Sequence, residues 1–291
     1  MAVLACTACG PALAQKKMRV IQRIPDHQAL VHNLPGKADG LNLKSAGALV
    51  IDLSENRVLY AKNVDAVVPI ASITKLMTAL VTLESNGALD EAIVISEADV
   101  DDLKHTRSRL RVGTVLTREA LLKLALMASE NRAAAALARA YPGETRAFVA
   151  AMNQKAIELE MLRTRFVDGT GLSSENVSTA QDLARLVVAA HAQPLIREFT
   201  TATAYAVELP NGRLMYYNNS NGLVKNAGWT IGLSKTGYIS EAGRCLVMQS
   251  RIASLPVVIV LLDSWGRNTR MGDANRIKKW MESMFSRQPA G

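Results

Sequence analysis

Apolar and polar positions along the chain fall into three blocks of different period. Near the start, Ala46–Leu53 and Arg57–Ala61 are apolar runs separated by the turn residues Ser54-Glu55-Asn56, which predicts two strands joined tightly. Helical spacing follows. Ile73–Glu84 predicts a helix closed by Asn86-Gly87, and Thr117 to about Ala140 is a longer helical stretch dense in Leu and Ala, stopped by Tyr141-Pro142-Gly143. Glu144–Leu162 places Phe148, Met152, Ala156 and Leu159 on one helix face. Ser178-Thr179-Ala180-Gln181 has the form of a capping box and predicts a helix to about Ala192. After residue 200 the period shortens again. Ala204–Leu209 and Arg213–Tyr217 flank the hairpin signal Pro210-Asn211-Gly212, and Thr230–Lys235, Arg244–Ile252 and Val257–Asp263 read as strands. A last helix puts Ile277, Trp280, Met281 and Met284 on one side.

Strands at both ends and helices between them predict an α+β fold. One mainly antiparallel sheet draws on both chain ends, and a central all-helical lobe occupies about residues 85–200. Short hairpin connections after residue 200 argue against a parallel doubly wound sheet, whose crossovers are long. The longest apolar run, Val257–Leu262, is far short of the ~18 residues that a membrane helix needs, so no transmembrane segment is expected.

Composition narrows the partners. The 291 residues are 49% hydrophobic and 21% charged, which excludes a disordered chain. A net charge of +8 suits a polyanionic partner or surface. Nucleic acid is not expected, because the 34 Lys and Arg are dispersed and aromatic residues make up only 4%. Met1 to Gln15 is small and apolar and ends in Ala12-Leu13-Ala14, shaped like a signal-peptidase site, so residues 1–15 are expected to be a truncated signal peptide. Residues 16–44 then read as a flexible arm, and 45–291 as a single catalytic domain. Cys6 and Cys9 form one terminal Cys-x-x-Cys, too little for a zinc site or a disulfide framework, and Cys245 reads as a small core residue.

Several familiar catalytic patterns are absent: there is no Gly-x-Ser-x-Gly, no P-loop and no His-Glu-x-x-His. The four histidines, His27, His32, His105 and His191, do not cluster in sequence, so no metal or cofactor is expected and the last two read as surface residues. One set of motifs remains. Ser72-Ile73-Thr74-Lys75 opens a helix, Ser129-Glu130-Asn131 interrupts two apolar helical stretches, and Lys235-Thr236-Gly237 ends a strand. A serine in a first helical turn has backbone N–H groups and the positive dipole end beside it, which favour developing negative charge. The i to i+3 spacing brings Lys75 within reach of the Ser72 hydroxyl. A lysine can accept that proton only if burial or a second cation, such as Lys235, lowers its pKa.

Ser-x-x-Lys alone is too common to carry weight, and Ser-Glu-Asn occurs at 54–56, 129–131 and 174–176. The first copy is a hairpin turn, and the third lies in a polar loop before Ser178, where Ser and Asn are expected anyway. Only Ser129–Asn131 is flanked on both sides by apolar helix, where polar residues must be satisfied or must work in a cleft. Lys-Thr-Gly is the rarest piece, and Gly237 permits close approach of a substrate backbone.

The order Ser-x-x-Lys, Ser-x-Asn, Lys-Thr-Gly, with first members 57 and 106 residues apart, resembles the penicillin-recognising serine enzymes, the penicillin-binding proteins and serine β-lactamases. The stretches Pro69–Met77, Arg109–Gly113, Leu126–Ala133 and Glu241–Met248 are similar to the low-molecular-mass D-alanyl-D-alanine peptidases, and most of all to the periplasmic D-alanyl-D-alanine endopeptidase group. The resemblance, over roughly residues 45–285, implies the penicillin-recognising fold, peptidoglycan stem peptides as substrate, β-lactams as covalent inhibitors and a periplasmic location. It implies Ser72 as nucleophile, Lys75 as base and Ser129 as proton relay, although a Ser129–Lys235 relay remains an alternative base. Asn131 would orient the substrate amide, Lys235, Thr236 and Gly237 would bind a substrate carboxylate, and the backbone N–H groups of Ser72 and Tyr238 would form the oxyanion hole.

Two departures bear on substrate. Carboxypeptidases of the family usually continue into a β-rich domain and an amphipathic anchor, whereas this chain stops after its last helix, which favours an endopeptidase cutting D-Ala–diaminopimelate cross-links. No Glu-x-x-x-Asn follows Asn131. The corresponding region, Arg163–Leu172, offers Asp168 and glycines, which argues against an efficient β-lactamase. A carboxypeptidase trimming pentapeptide stems is the main alternative, and a non-catalytic penicillin-sensing or anion-binding domain is one of another class. Arg107, Arg109 and Arg111 read as a solvated edge, and Arg244 is open between the carboxylate site and plain packing. The oligomeric state is not legible.

Overall fold

The computed structural model describes residues 41–209 and 212–285. The proposed signal segment, most of the arm, the Cys6–Cys9 pair, His27, His32 and the Pro210-Asn211 turn lie outside these residues. Strands β1 (Ser45–Asp52), β2 (Arg57–Lys62), β9 (Thr230–Ile239), β10 (Gly243–Ile252) and β11 (Leu255–Ser264) form one antiparallel sheet in the order β2-β1-β11-β10-β9. The sheet therefore draws on both chain ends, as the sequence predicts, and the first and last strands, β1 and β11, lie side by side in it. Three short two-stranded ribbons accompany it: β3 (Val68–Pro69) with β6 (Val177–Ser178), β4 (Ala92–Val94) with β5 (Val115–Thr117), and β7 (Ala204–Glu208) with β8 (Leu214–Asn218).

The helices are α1 (Lys75–Glu84), α2 (Arg118–Lys123), α3 (Asn131–Arg139), α4 (Glu144–Glu158), α5 (Ala180–Ala192), α6 (Pro194–Thr201) and α7 (Thr269–Phe285). α1 packs against α3, α4 and α5, and its residues from Lys75 to Thr82 are all buried. Two differences from the sequence reading have local causes. The helix after residue 178 is capped by Thr179, whose hydroxyl accepts the Asp182 N–H, while the Ser178 hydroxyl is engaged with Thr164 instead. α4 stops at Glu158 because Glu160 enters the left-handed region at φ +57°.

Both faces of the sheet are covered, so its strands read as continuous apolar runs. On one face Leu49, Ile51, Val247, Val258 and Val260 join the core of the helical lobe. On the other, Ala48, Val50, Leu246, Met248, Ile259 and Leu261 pack under Ala274, Ile277 and Met281 of α7. Full burial of one such side chain is worth about 2 kcal/mol. Leu41 and Leu43 belong to this second cluster, so the packed body begins a few residues before β1, inside the segment read as an arm.

A buried carboxylate fastens α7 to the sheet. Asp273 accepts the backbone N–H groups of Lys44 at 3.0 Å and Ser45 at 2.7 Å, and the Ser45 hydroxyl at 2.7 Å, while Ser45 Oγ also meets Ser264 Oγ at 2.6 Å. The start of β1, the end of β11 and α7 are thus joined at one point. Asp273→Ala leaves these buried donors without an acceptor and is expected to cost about 3 kcal/mol. Urea unfolding followed by circular dichroism measures this, and an unchanged midpoint would contradict it.

Candidate active site

The chain approaches Ser72 through a strained turn. Ala71, fully buried, has φ +49°, and the 3₁₀ turn Ala71–Thr74 precedes α1 directly. A non-glycine residue there costs roughly 1 kcal/mol or more, so packing must impose the conformation. Two glycines show how. Gly171, at φ +81°, lies so close that a Cβ would stand 2.0 Å from the Ala71 carbonyl oxygen. From the other side, a Cβ on Gly237 would meet the Ile70 carbonyl oxygen at 2.9 Å and the Ser72 nitrogen at 3.2 Å. Thr74 Oγ1 donates to the Ala71 carbonyl at 2.8 Å and completes the turn.

Lys75 is fully buried, and its Nζ donates to Ser72 Oγ at 2.9 Å, Asn131 Oδ1 at 2.7 Å and the Thr170 carbonyl at 2.6 Å. Three ammonium hydrogens meet three oxygens. Two of these oxygens can only accept, whereas the Ser72 hydroxyl can reverse its sense and donate. A neutral Lys75 therefore keeps both of its own N–H bonds and turns its lone pair toward Ser72. Burial drives its pKa down to about 8, against the opposing fields of Asp168, Glu130 and Asp101.

Ser129 sits at a break that the sequence foretold. The helical run Thr117–Ala140 is α2, then a single π-turn over Leu124–Ala128, then Ser129 at φ +62°, and only then α3. Such π-turns interrupt helices where a site needs a side chain re-aimed. Ser129 Oγ accepts from Lys235 Nζ at 2.9 Å, and Lys235 also donates to the Thr236 carbonyl at 3.0 Å. Lys235 is buried, and its pKa is held well below the ordinary lysine range by that burial, then by the positive charges of Lys75 and Arg270. Thr236 Oγ1 donates to Ser220 Oγ at 2.8 Å. All three motifs thus meet at the seam between sheet and lobe as two Ser–Lys pairs. Tyr238, 55% exposed, continues β9 out of the site with the Arg244 guanidinium 4.3 Å from its ring centre.

Other participants leave fainter traces in the sequence. Asp168 accepts from Thr170 N, Thr170 Oγ1, Gly171 N and Ser173 N at 2.6–3.0 Å, which shapes the loop that offers the Thr170 carbonyl to Lys75. Asn176, from the third Ser-Glu-Asn copy, is fully buried. It accepts from Val167 N and Asp168 N and donates to the Asp168 carbonyl and Thr74 Oγ1. The polar-loop reading of that copy missed this role. Arg270 is the least legible. It is 91% buried in the first turn of α7, and its Nε and Nη1 have no hydrogen-bond partner among the described residues. Arg107, Arg109 and Arg111 are all exposed, as the solvated-edge reading expects, and Arg109 in addition lies 3.8 Å over the Tyr217 ring and donates to the Tyr216 carbonyl. His191 is half-buried rather than a plain surface residue.

Comparison with known proteins agrees with this geometry. A family model described as D-alanyl-D-alanine carboxypeptidase matches residues 35–266. The D-alanyl-D-alanine endopeptidase of Pseudomonas aeruginosa is 49% identical over 243 residues, which is 83% of this chain and 78% of that protein. The Escherichia coli K12 protein of the same name is 43% identical over 242 residues, with the same shares. Among solved structures, the Streptomyces K15 DD-transpeptidase superposes with a TM-score of 0.76 at 29% identity, covering 83% of this chain and 98% of that one. Penicillin-binding protein D2 of Listeria monocytogenes, solved with ampicillin bound, gives 0.71 at 28% with the same coverage. The chain belongs to the D-alanyl-D-alanine carboxypeptidase family of serine peptidases and has the penicillin-recognising fold.

Proposed function

We propose that the protein is a periplasmic D-alanyl-D-alanine endopeptidase that hydrolyses cross-links between peptidoglycan stem peptides through an acyl-enzyme on Ser72. The observation that carries the chemistry is the Lys75 ammonium, buried and 2.9 Å from the Ser72 hydroxyl, with its pKa lowered to about 8. The substrate assignment is supported by the endopeptidase names of relatives at 49% and 43% identity.

The stem peptide lies along the outer edge of β9, the last strand of the sheet, where unpaired backbone groups can bind an extended chain. Ser72 Oγ attacks the D-alanyl carbonyl and gives its proton to Lys75. The backbone N–H groups of Ser72 and Tyr238 hold the oxyanion. Ser129 passes its proton to the leaving amine and regains one from the protonated Lys75, which is neutral again; the C–N bond breaks and the ester on Ser72 remains until water releases it. Lys235, Thr236 and Gly237 bind the carboxylate beside the leaving amine, and Arg270, with two unpartnered nitrogens, adds positive charge there. β-Lactams enter the same position and remain as stable esters.

Incubation with penicillin followed by mass spectrometry is expected to give one adduct on Ser72 and none in Ser72→Ala. An adduct in the variant would refute the nucleophile. The purified enzyme should cleave a cross-linked dimer faster than it trims a pentapeptide, and the reverse order makes it a carboxypeptidase. Because Lys75 must be neutral to accept the proton, penicillin acylation should rise with pH and level off above about 8, being about a hundredth of its plateau at pH 6. A flat profile over that range would move the base to the Ser129–Lys235 pair.

A further inference from the structure

Asn131 has an amide whose two ends differ chemically, and the site works only one way round. As an ammonium Lys75 Nζ can only donate, and when neutral its one lone pair is turned to Ser72, so the amide oxygen must face it, as it does at 2.7 Å. The opposite end is fixed from outside the three motifs. Asn131 Nδ2 donates to Thr106 Oγ1 at 2.9 Å, and Thr106 Oγ1 donates in turn to Asp101 Oδ2 at 2.6 Å. A carboxylate accepts only, so the single hydroxyl proton of Thr106 is committed to Asp101, and Thr106 must accept from Asn131.

Asp101 is itself well anchored. Oδ1 accepts the N–H groups of Leu103 at 2.9 Å and Lys104 at 3.0 Å, and Oδ2 accepts that of Thr106 at 2.9 Å. Burial pushes its carboxyl up, but the bonds from Thr106, Lys104 and Leu103 outweigh this and hold it below the usual carboxylate range. An unbroken line of donors therefore runs from the Lys75 ammonium through Asn131 and Thr106 to an ionised Asp101. Its polarity is set at the Asp101 end.

We propose that Asp101 and Thr106 are positioning residues that fix the sense of the Asn131 amide, and through it the orientation of Lys75 toward Ser72. The remaining Nδ2 hydrogen of Asn131 is then always presented to the cleft for a substrate carbonyl. With the amide reversed, an NH₂ group would face the Lys75 ammonium, and two donors would meet across 2.7 Å.

The test rests on the acyl-enzyme reading and compares rates of penicillin acylation at Ser72 by mass spectrometry. Thr106→Val keeps the shape and removes the hydroxyl, and is expected to slow acylation by about tenfold or more. Thr106→Ser restores the hydroxyl and should return the rate to within about threefold of the parent. Asp101→Asn frees the Thr106 proton to point at Asn131, so it should be slow like Thr106→Val. Lys104→Ala, on the same loop as Asp101 and Thr106, removes only the ion pair with Glu241 of the β9–β10 turn, and should stay within about twofold of the parent. A Thr106→Val enzyme at the parent rate, a Thr106→Ser enzyme as slow as Thr106→Val, or a Lys104→Ala enzyme equally slow would each overturn the positioning role. An unmodified parent enzyme would instead overturn the acyl-enzyme reading itself.

Discussion

Two lysine ammonium groups are enclosed where the sheet meets the helical lobe, and the shape of that seam follows from what enclosing them requires. Moving an ammonium out of water costs several kcal/mol unless oxygens replace its hydration shell. For Lys75 the replacement is complete, drawn from three parts of the chain: the Ser72 turn, the start of α3 and the Thr170 loop. For Lys235 it is partial, with two acceptors and a second cation close by. Lys75 is therefore poised between protonation states, whereas Lys235, beside the Arg270 guanidinium, has no counter-charge among the described residues. Under the proposed function, a substrate carboxylate is what the second pair awaits.

Bringing three distant elements onto one ammonium has a conformational cost, and it falls where the irregular backbone lies. Ala71 and Ser129 are both left-handed, and Gly171 and Gly237 press on the same turn with no room for a side chain. Residues in such regions cost on the order of 1–3 kcal/mol each and persist only where the surroundings over-determine them. Here the surroundings are the core of the helical lobe, which Ala71 joins together with Ile70, Ile73 and Met127, and behind it the second core and the Asp273 junction. The scaffold is held by its two cores, and the site leans on them to keep Ala71 and Ser129 left-handed.

This division also explains what could be read from the sequence. The sheet strands announce themselves because both faces are buried, and Ser72, Lys75, Ser129, Asn131, Lys235 and Thr236 announce themselves because they fall in three short motifs. The break at Ser129 was visible as polar residues inside an apolar helix. Asn176 and Asp168 were not legible, since their work is to satisfy loop backbone, and Asn and Asp are the ordinary residues of any loop. α6 was hidden because Pro194–Thr201 is too short for a full period to show. Arg270 left no trace, because an arginine in the first turn of an amphipathic helix looks like any solvated charge until the fold buries it.

The same contrast separates chemistry from substrate choice. The floor of the cleft is built from buried contacts among Ser72, Lys75, Ser129 and Lys235, and cleaving a terminal D-alanine or a cross-link makes the same demand on it. The loop from Asp101 to Arg111 adjoins it through Thr106 on Asn131, and is tied to the β9–β10 turn by the Lys104–Glu241 ion pair and to β8 by Arg109 on Tyr216 and Tyr217. Exposed ties of this kind are worth about 1 kcal/mol or less each. They can exchange partners with a ligand at little cost, which the buried floor cannot do. Under the proposed function, selection between a small leaving amine and a long cross-linked one is a matter of loop shape, because the three motifs are common to both activities.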